Sequence, residues 1–450
     1  MIIFKNILLR KQIITIAGPA IVEMVMYMLI GVVDIAIVGR LGPEALAAVS
    51  LGAEIFFSII LLLEALAIGS TILVAQGKGA NRQDRIDQII AHTLIMALTL
   101  GLAAAYLGLG YSSQLLNLFS IEKSVYHQAY SYLMITFKIA PLALILYMIN
   151  SLFRGYGRTD IPMIIALITN VFNVIGDYVL VYGKWGFPAL GVSGAAWATA
   201  GAHILGFAIA MWFLLSGRGG ISLKLSLLFN LKSKVFTSIV RLGFPTMLEQ
   251  LFQTVSHLIS IYLLVYMGTL VFASHQVAVT VESISYMPGF GLAIAATTLV
   301  GQAVGSRDEK ALSEAARGCL EFAVLLMGFF GVIFALLPHQ VAAIFSNDPE
   351  VIKLSAWLIR LASLEQITVA VSMVIAGALK GAGDTRTPFL ISLFFTWIFR
   401  LPLIYLIIRV LHWGITLVWL VFILDWFFKT VIYLIIYRRR GWIRRALAAK

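Results

Sequence analysis

Two aspartates, Asp34 and Asp177, stand inside long apolar stretches of the sequence. By insertion scales a carboxylate at the centre of a membrane helix costs about 2.5–3.5 kcal/mol, so each is a candidate functional residue. Asn173 lies four residues before Asp177, and Asn170 three before Asn173, which places these polar side chains on one helical face. Carboxylate and amide oxygens could bind Na⁺, or one carboxyl could bind and release H⁺. The residues leave both choices open.

Two further acids follow prolines. Glu23 lies four residues after Pro19, and Glu249 four residues after Pro245. Each proline removes a backbone hydrogen bond and bends its helix, so Pro19 and Pro245 are predicted hinges. The acids could face a substrate cavity and attract cations, or satisfy groups on neighbouring helices. Polar residues that could add to a cavity wall on the same and the next helix include Gln253, Gln276 and Glu282.

The remaining intramembrane acids have basic residues available as partners. We interpret Glu54, Glu64, Glu365 and Asp425 as mostly structural, paired with Lys138, Arg360, Arg400 or Lys429.

The elements that must position these residues are membrane helices. Of 450 residues, 61% are hydrophobic and 12% charged, far more apolar than a soluble domain. A spanning helix needs about 20 mostly apolar residues. Twelve stretches meet this requirement: 13–38, 45–77, 89–112, 125–152, 160–182, 190–215, 235–266, 271–303, 315–337, 350–378, 388–409 and 413–436. The predicted fold is an all-α integral membrane protein with twelve spans.

Lysine and arginine are distributed unevenly between alternate loops. With a cytoplasmic N-terminus, 22 of the 33 lie on the cytoplasmic side and five outside, which predicts that both termini are cytoplasmic. The formal charge of +12 is therefore explained by basic cytoplasmic loops of a membrane protein rather than by nucleic-acid binding. At 1.5 Å per residue, Asp34 and Asp177 lie about 30 Å and about 25 Å from the cytoplasmic ends of their spans. We expect a multi-pass protein of the plasma (inner) membrane.

The chain contains an internal repeat. One constant offset, which aligns Leu66 with Leu292, makes segments 66–79 and 292–305 identical at eight of fourteen positions, and the proline and glutamate pairs above align at the same offset. Duplication predicts two pseudo-symmetric six-helix lobes, and rocking of two such lobes would give alternating access. The predicted division is an N-lobe at 1–218, a cytoplasmic linker at 219–234, a C-lobe at 235–437 and a basic tail at 438–450.

The polar cluster occurs in one half only. At this offset Ser260, Phe399 and Leu403 are the partners of Asp34, Asn173 and Asp177. An ion site needs to exist only once, so the sequence places the coupling site in the N-lobe.

Signals for enzymes are absent. The sequence has no Walker motif, HExxH, GxSxG or metal-spaced Cys/His cluster, and its single cysteine, Cys319, allows no intrachain disulfide. We expect no enzymatic activity and no cofactor apart from the coupling ion.

Several segments in order resemble the multidrug and toxic compound extrusion (MATE) family, over nearly the whole chain. They are VDIAIVGRLGPEALAAVSLG, LFRGYGRTDIPM, NVFNVIGDYVLVYGKWGFPALGVSGAAWAT, ASHQVAVTVESISYMPGFGLAIAATTLVGQAVG and GALKGAGDTRTP. The resemblance implies two V-shaped lobes and export of amphipathic, often cationic compounds in exchange for H⁺ or Na⁺. It adds Thr199 to the cation site of Asp34, Asn173 and Asp177, and Asn150 to the cavity. A second family pattern uses acids in spans seven, eight and ten, and it is incomplete here because span ten offers Glu365 and no aspartate.

The chain looks closer to the DinF-like branch of this family than to the NorM-like branch. The expected activity is multidrug antiport by a monomer. The alternative within the superfamily is a lipid-linked oligosaccharide flippase, whose anionic headgroup would need a basic cavity. Intramembrane carboxylates outnumber intramembrane basic residues, which favours organic cations.

Overall fold

The computed structural model describes residues 6–119, 121–230 and 232–448. Within these ranges the regular elements are helices, and no strand occurs. Eleven of the described helices are long and apolar enough to cross a membrane, and one bent pair makes a twelfth span. The predicted all-α membrane fold is confirmed. Lys5 and Lys450, which entered the count of cytoplasmic cations, lie outside the described residues.

The twelve spans are numbered α1 to α12 in chain order, and a short terminal helix is α13. Their bounds are α1 Ile7–Leu41, α2 Pro43–Gly79, α3 Gln83–Asn117, α4 Lys123–Tyr156, α5 Asp160–Tyr182, α6 Val192–Ser216, α7 Ser233–Val265, α8 Thr269–Ser306, α9 Glu309–Leu336, α10 Pro349–Ala362 with Gln366–Gly381, α11 Arg386–Val410, α12 Ile415–Arg438 and α13 Gly441–Ala448.

Helix ends follow from local sequence. Gly157 caps the C-terminus of α4 and Gly183 that of α5. Their φ values of 83° and 67° correspond to a left-handed conformation that glycine reaches without a Cβ clash. Asp308 is the N-cap of α9, and its carboxylate accepts a hydrogen bond from the Ala311 N–H.

The two halves repeat at the level of single hydrogen bonds. The Thr71 hydroxyl on α2 donates to the Ser151 carbonyl on α4 (3.0 Å), and the Thr297 hydroxyl on α8 donates to the Gly377 carbonyl on α10 (2.9 Å). The offset of the sequence repeat aligns both donors and both acceptors. Interruptions also correspond, because α4 has a 3₁₀ turn at 137–139 and α10 bends by 53° across its break at 363–365. The structure therefore shows the duplication that the sequence predicts.

The described chain forms two compact units. Among the described residues, the N-terminal unit comprises those of 26–78 and 82–247, and the C-terminal unit those up to Val25, 79–81 and 248–448. Each unit thus includes part of a helix from the other half of the sequence. The predicted division at 1–218 and 235–437, which assigns each helix whole to one lobe, stays a prediction.

The helices α1 and α7 change units close to their prolines. Pro19 lies inside α1 and Pro245 inside α7, and the unit borders follow at residues 25/26 and 247/248. In the C-terminal unit, Ile13 and Ile16 of α1 pack in the same apolar cluster as Ala295 of α8.

The first part of α7 packs just as closely in the N-terminal unit. There, Ile239 joins a core cluster with Phe153 and Leu214. A Cβ on Gly69 or on Gly243 would meet backbone atoms across the α2–α7 contact, so both positions require glycine.

The predicted linker packs on the N-terminal unit. Ile221 is buried, the Lys224 ammonium lies 2.6 Å from the Asp87 carboxylate, and the Lys232 N–H donates to Nε2 of His92 (2.8 Å). Hydrogen bonding to Asp87 raises the pKa of Lys224. The linker is therefore an ordered part of the unit.

Residues Gly441–Ala448 of the basic tail form α13, and residues 449–450 lie outside the described ranges. One face of α13 buries Trp442, Ile443 and Ala446, while Arg445 faces outward and lies 3.5 Å from Asp384.

The α2–α4 contact generates a stability prediction. A Cβ on Gly155 would lie 2.5 Å from the carbonyl oxygen of Thr71, so Gly155→Val forces the helices apart. We expect a loss of about 1–3 kcal/mol in the free energy of unfolding, seen as a lower melting temperature in detergent. Gly110→Val on α3, where nothing lies within 4 Å of the added Cβ, is the control. Equal melting temperatures for both variants would contradict this account of the contact.

Candidate cation-binding site

Three spans of the N-terminal unit bring the predicted cation ligands together. Asn173 and Asp177 on α5 are each 1% exposed, Thr199 on α6 is 6% exposed, and Asp34 on α1 is half-buried. With its amide oriented to satisfy both bonds, Asn173 donates to Oδ1 of Asp34 (3.0 Å) and accepts from the Thr199 N–H (3.3 Å). All four residues therefore belong to one cluster.

The carboxyl groups of Asp34 and Asp177 lie within hydrogen-bonding reach of each other. Among the described residues, no donor forms a hydrogen bond to either oxygen of Asp177. Two ionised carboxylates are acceptors only, so the contact is favourable only when a proton or another cation lies between them. The pair has the chemistry of a site for a single small cation.

Two hydrogen bonds fix α1 against α5 on either side of Asp34. The Asn170 amide donates to the Met26 carbonyl (2.8 Å), and the Tyr182 hydroxyl donates to the Ile37 carbonyl (2.6 Å). Asn170, which the sequence places on the polar stripe, thus holds the backbone of α1. These bonds hold the stretch of α1 that carries Asp34.

Tyr132 on α4 is a site residue that the sequence analysis missed. Its side chain is 2% exposed and hydrogen-bonds to Thr199, close to both carboxyls. A Cβ on Gly52 would lie 2.7 Å from the Tyr132 ring, so the ring lies directly on α2. No spacing rule distinguishes one tyrosine in an apolar helix, and only the fold identifies it.

His203 supports the same cluster from one turn further along α6. Its Nδ1 donates to the Thr199 carbonyl at 2.8 Å, and its Nε2 lies 3.4 Å from the Tyr147 hydroxyl. His203 thus connects the Thr199 backbone on α6 to Tyr147 on α4.

The other predicted cavity residues have varied surroundings. Glu249 forms an ion pair with Lys380 (2.9 Å), and Gln253 donates to the Ser392 hydroxyl (3.1 Å). Glu282 is half-buried within hydrogen-bonding reach of Glu365. The remaining three are Glu23 and Asn150, which are buried, and Gln276, which is exposed. The C-terminal unit contains all of them except Asn150.

Two acids interpreted as structural do form ion pairs. Glu64 lies 3.1 Å from Arg154, a partner that the sequence analysis did not name, and Asp425 lies 2.8 Å from Lys429. Among the described residues, no group of three or more His, Cys, Asp or Glu side chains is arranged to hold a metal ion. A Na⁺ ion would thus depend on two carboxylates with the Asn173 amide and the Thr199 hydroxyl.

The acid pair predicts selective reaction with an apolar carbodiimide, which modifies protonated carboxyls in apolar surroundings. We expect labelling at Asp34, the more exposed member, to rise as pH falls and to disappear in Asp34→Asn. Mass spectrometry of the digested protein measures it. Protection by Na⁺ but not by choline would identify sodium as a ligand. Labelling that is unchanged in Asp34→Asn would contradict a protonated pair at this position.

Comparison with known proteins supports the repeat and the fold. The MatE family model matches residues 19–179 and 245–406, and these segments begin at the aligned prolines Pro19 and Pro245. A relative from Thermotoga maritima, described as "Probable multidrug resistance protein NorM", is 29% identical over 100% of this chain and 98% of its own. The "Uncharacterized transporter YisQ" of Bacillus subtilis is 22% identical over 99% of both chains.

Solved structures match over nearly the full length. One is titled "Outward-facing conformation of a multidrug resistance MATE family transporter of the MOP superfamily", with a TM-score of 0.90, 22% identity and coverage of 98% of this chain and 97% of that one. Another is titled "Crystal structure of MATE in the bent conformation", with a TM-score of 0.89, 22% identity and 97% coverage of both chains. At this identity the likeness shows the fold. Because the family model covers well over half of the chain in two repeats, the protein belongs to the MatE family of membrane transporters, which are not enzymes.

Proposed function

We propose that the protein exports amphipathic or cationic organic compounds in exchange for H⁺ or Na⁺, with the coupling cation bound by Asp34, Asn173, Asp177 and Thr199. The observation that carries the proposal is the Asp34–Asp177 contact, in which two carboxyl groups meet and no described donor reaches Asp177. The relative described as a probable multidrug resistance protein supports drugs as the transported compounds.

The helix α1 supplies a physical connection between ion binding and transport. It carries Asp34 within the N-terminal unit, while its residues up to Val25 belong to the C-terminal unit. Loss or gain of a cation changes the charge at Asp34 and therefore acts on a helix that both units share. Pro19, in the same helix, lacks the N–H that a regular helix would use and permits the change in bend.

Buried charge favours a cationic substrate over the anionic headgroup of a flippase substrate. The buried Lys429 and half-buried Arg400 of the C-terminal unit both lie near the Asp425 carboxylate, at 2.8 Å and 3.7 Å. Held there, they do not form a free basic surface for a phosphate. The substrate would meet acids and amides instead, from the proposed cavity residues Glu23, Asn150, Glu249, Gln253, Gln276 and Glu282.

The distribution of basic residues indicates where the protein lies in the cell. We place the protein in the plasma (inner) membrane with both termini cytoplasmic, because cationic residues concentrate on that side. A monomer contains both halves that alternating access requires. The DinF-like assignment stays a prediction.

Transport in liposomes tests the function. We expect uptake of a fluorescent organic cation under a proton gradient or a sodium gradient, and a fall of at least about tenfold in Asp34→Asn and Asp177→Asn because the exchangeable charge is removed. The gradient that supports uptake identifies the coupling ion.

Glu122→Gln, a change at an exposed acid before α4, is the matched control and should transport like the unmodified protein. Wild-type rates in Asp34→Asn would overturn the assignment of the coupling site. Failure of the folded protein to move cations under either gradient would overturn the antiport proposal and make a lipid-flipping assay the next measurement.

A further inference from the structure

The C-terminal half holds a counterpart of the cation site, but its register departs from the constant offset of the repeat. In the first half the Met26 carbonyl accepts from Asn170, and in the second half the Phe252 carbonyl accepts from Nε1 of Trp397 (3.2 Å). The offset aligns the two carbonyls, but it aligns Asn170 with Thr396, the residue before Trp397. The second copy therefore contains one additional residue before Trp397.

The additional residue is accommodated by a π-helical segment of α11, Phe394–Arg400. A π-helix inserts a residue into a helix without breaking it. Beyond the insertion, the counterpart of Asn173 is Arg400, not Phe399 as the constant offset gives. The structure thus places a guanidinium where the first half has the amide that contacts Asp34.

Arg400 belongs to a buried charge cluster with two residues of α12. Its Nη2 donates to the Ser256 hydroxyl on α7 (3.1 Å), and its Nη1 lies 3.7 Å from Oδ2 of Asp425. The Lys429 ammonium lies 2.8 Å from the same carboxylate oxygen and 3.4 Å from the Thr396 hydroxyl. Asp425 is 0% exposed and Lys429 5%. Where the first half brings two carboxyls together, the second half thus brings two cations to one carboxylate.

Two further acids of the C-terminal unit lie close to Arg400. Glu282 on α8 and Glu365 at the bend of α10 lie within hydrogen-bonding reach of each other and close to Arg400. As with Asp34 and Asp177, the contact of two carboxyls is favourable only when a proton or another cation lies between them. Glu249, the other acid near Lys429, is already paired with Lys380. Asp425 is therefore the carboxylate that holds the Lys429 ammonium.

Stability alone does not explain these charges. Desolvating a buried ion pair costs about as much as the attraction returns, and apolar residues of similar volume often serve equally well. In a membrane core the charges are costlier still. We therefore explain these charged residues by their position, in the half of the repeat that corresponds to the cation site of the first half.

We propose that Lys429 is a built-in cation of the C-terminal half: its ammonium occupies, on Asp425, the role that an exchangeable ion has between Asp34 and Asp177. The Asp425 carboxylate therefore needs no exchangeable ion. Removal of the ammonium converts Asp425 into a binding site for a free small monovalent cation. The comparison between halves rests on the proposed function, whereas the binding behaviour of Asp425 does not.

Thermal unfolding in detergent tests this without any transport measurement. Lys429→Ala removes three carbons and the ammonium, which n-propylammonium matches in size and charge. We expect Lys429→Ala to melt several degrees below the unmodified protein, and n-propylammonium chloride, but not choline chloride at equal concentration, to restore most of the loss. The unmodified protein should respond equally to both salts.

Three variants define the outcome. Lys429→Met fills the space without charge and should be destabilised without rescue. Asp425→Asn/Lys429→Ala removes the anion and should show no propylammonium response. Arg317→Ala removes the exposed cation of a pair with the half-buried Glu321 (3.0 Å), also four residues apart, and should show no selective response to n-propylammonium.

Two results would overturn the proposal: no selective response of Lys429→Ala to n-propylammonium, or an equal response in the double variant. If Lys429→Ala is too unstable to purify, the double variant should recover the yield because it buries no unpaired charge. Equal yields would then count against a compensating role for Lys429. Because none of these readouts involves transport, they stand whether or not the protein proves to be an antiporter.

Discussion

The cost of placing charge in an apolar medium is the constraint on which the rest of this structure depends. The two halves of the chain offset this cost in different ways. In the N-terminal unit, the carboxyls of Asp34 and Asp177 meet with no described donor to Asp177, so on the proposed function neutrality comes from a cation that enters and leaves. In the C-terminal unit, Asp425 is neutralised by Lys429 and Arg400, which are covalently part of the chain. One duplicated architecture thus carries an exchangeable charge and a permanent one.

Hydrogen bonds to backbone carbonyls position both clusters. Asn170 and Tyr182 hold α1 against α5, and Trp397 holds α7 against α11. The surrounding packing relies on glycines at close helix contacts, such as Gly155 against the Thr71 backbone. Small displacements of these helices would therefore separate the charged groups from their partners.

The spans and the two aspartates of the candidate site could be predicted from the sequence, whereas Tyr132 and the position of Arg400 could not. Hydropathy predicts the spans because a bilayer demands long apolar helices, and the costs of buried acids single out Asp34 and Asp177. Tyr132 escapes detection because a tyrosine in an apolar helix has no distinctive spacing. Arg400 was misaligned because a single-residue insertion leaves the helix continuous and shows only in the hydrogen-bond pattern. The proposed cavity residues have such different surroundings that polarity alone did not define a common site.

The exchange of helix segments between the units has a consequence for how the protein is made. The N-terminal unit includes residues 233–247 of α7, and Ile239 lies in its core with Phe153. A ribosome that has synthesised the first six spans has therefore not yet delivered every part of that unit. Its core can be completed only when the start of α7 emerges, and the early part of α1 must wait longer still for α8 and α10 to arrive. Membrane insertion of the first half thus precedes its folding, and the two halves have to mature together during biosynthesis.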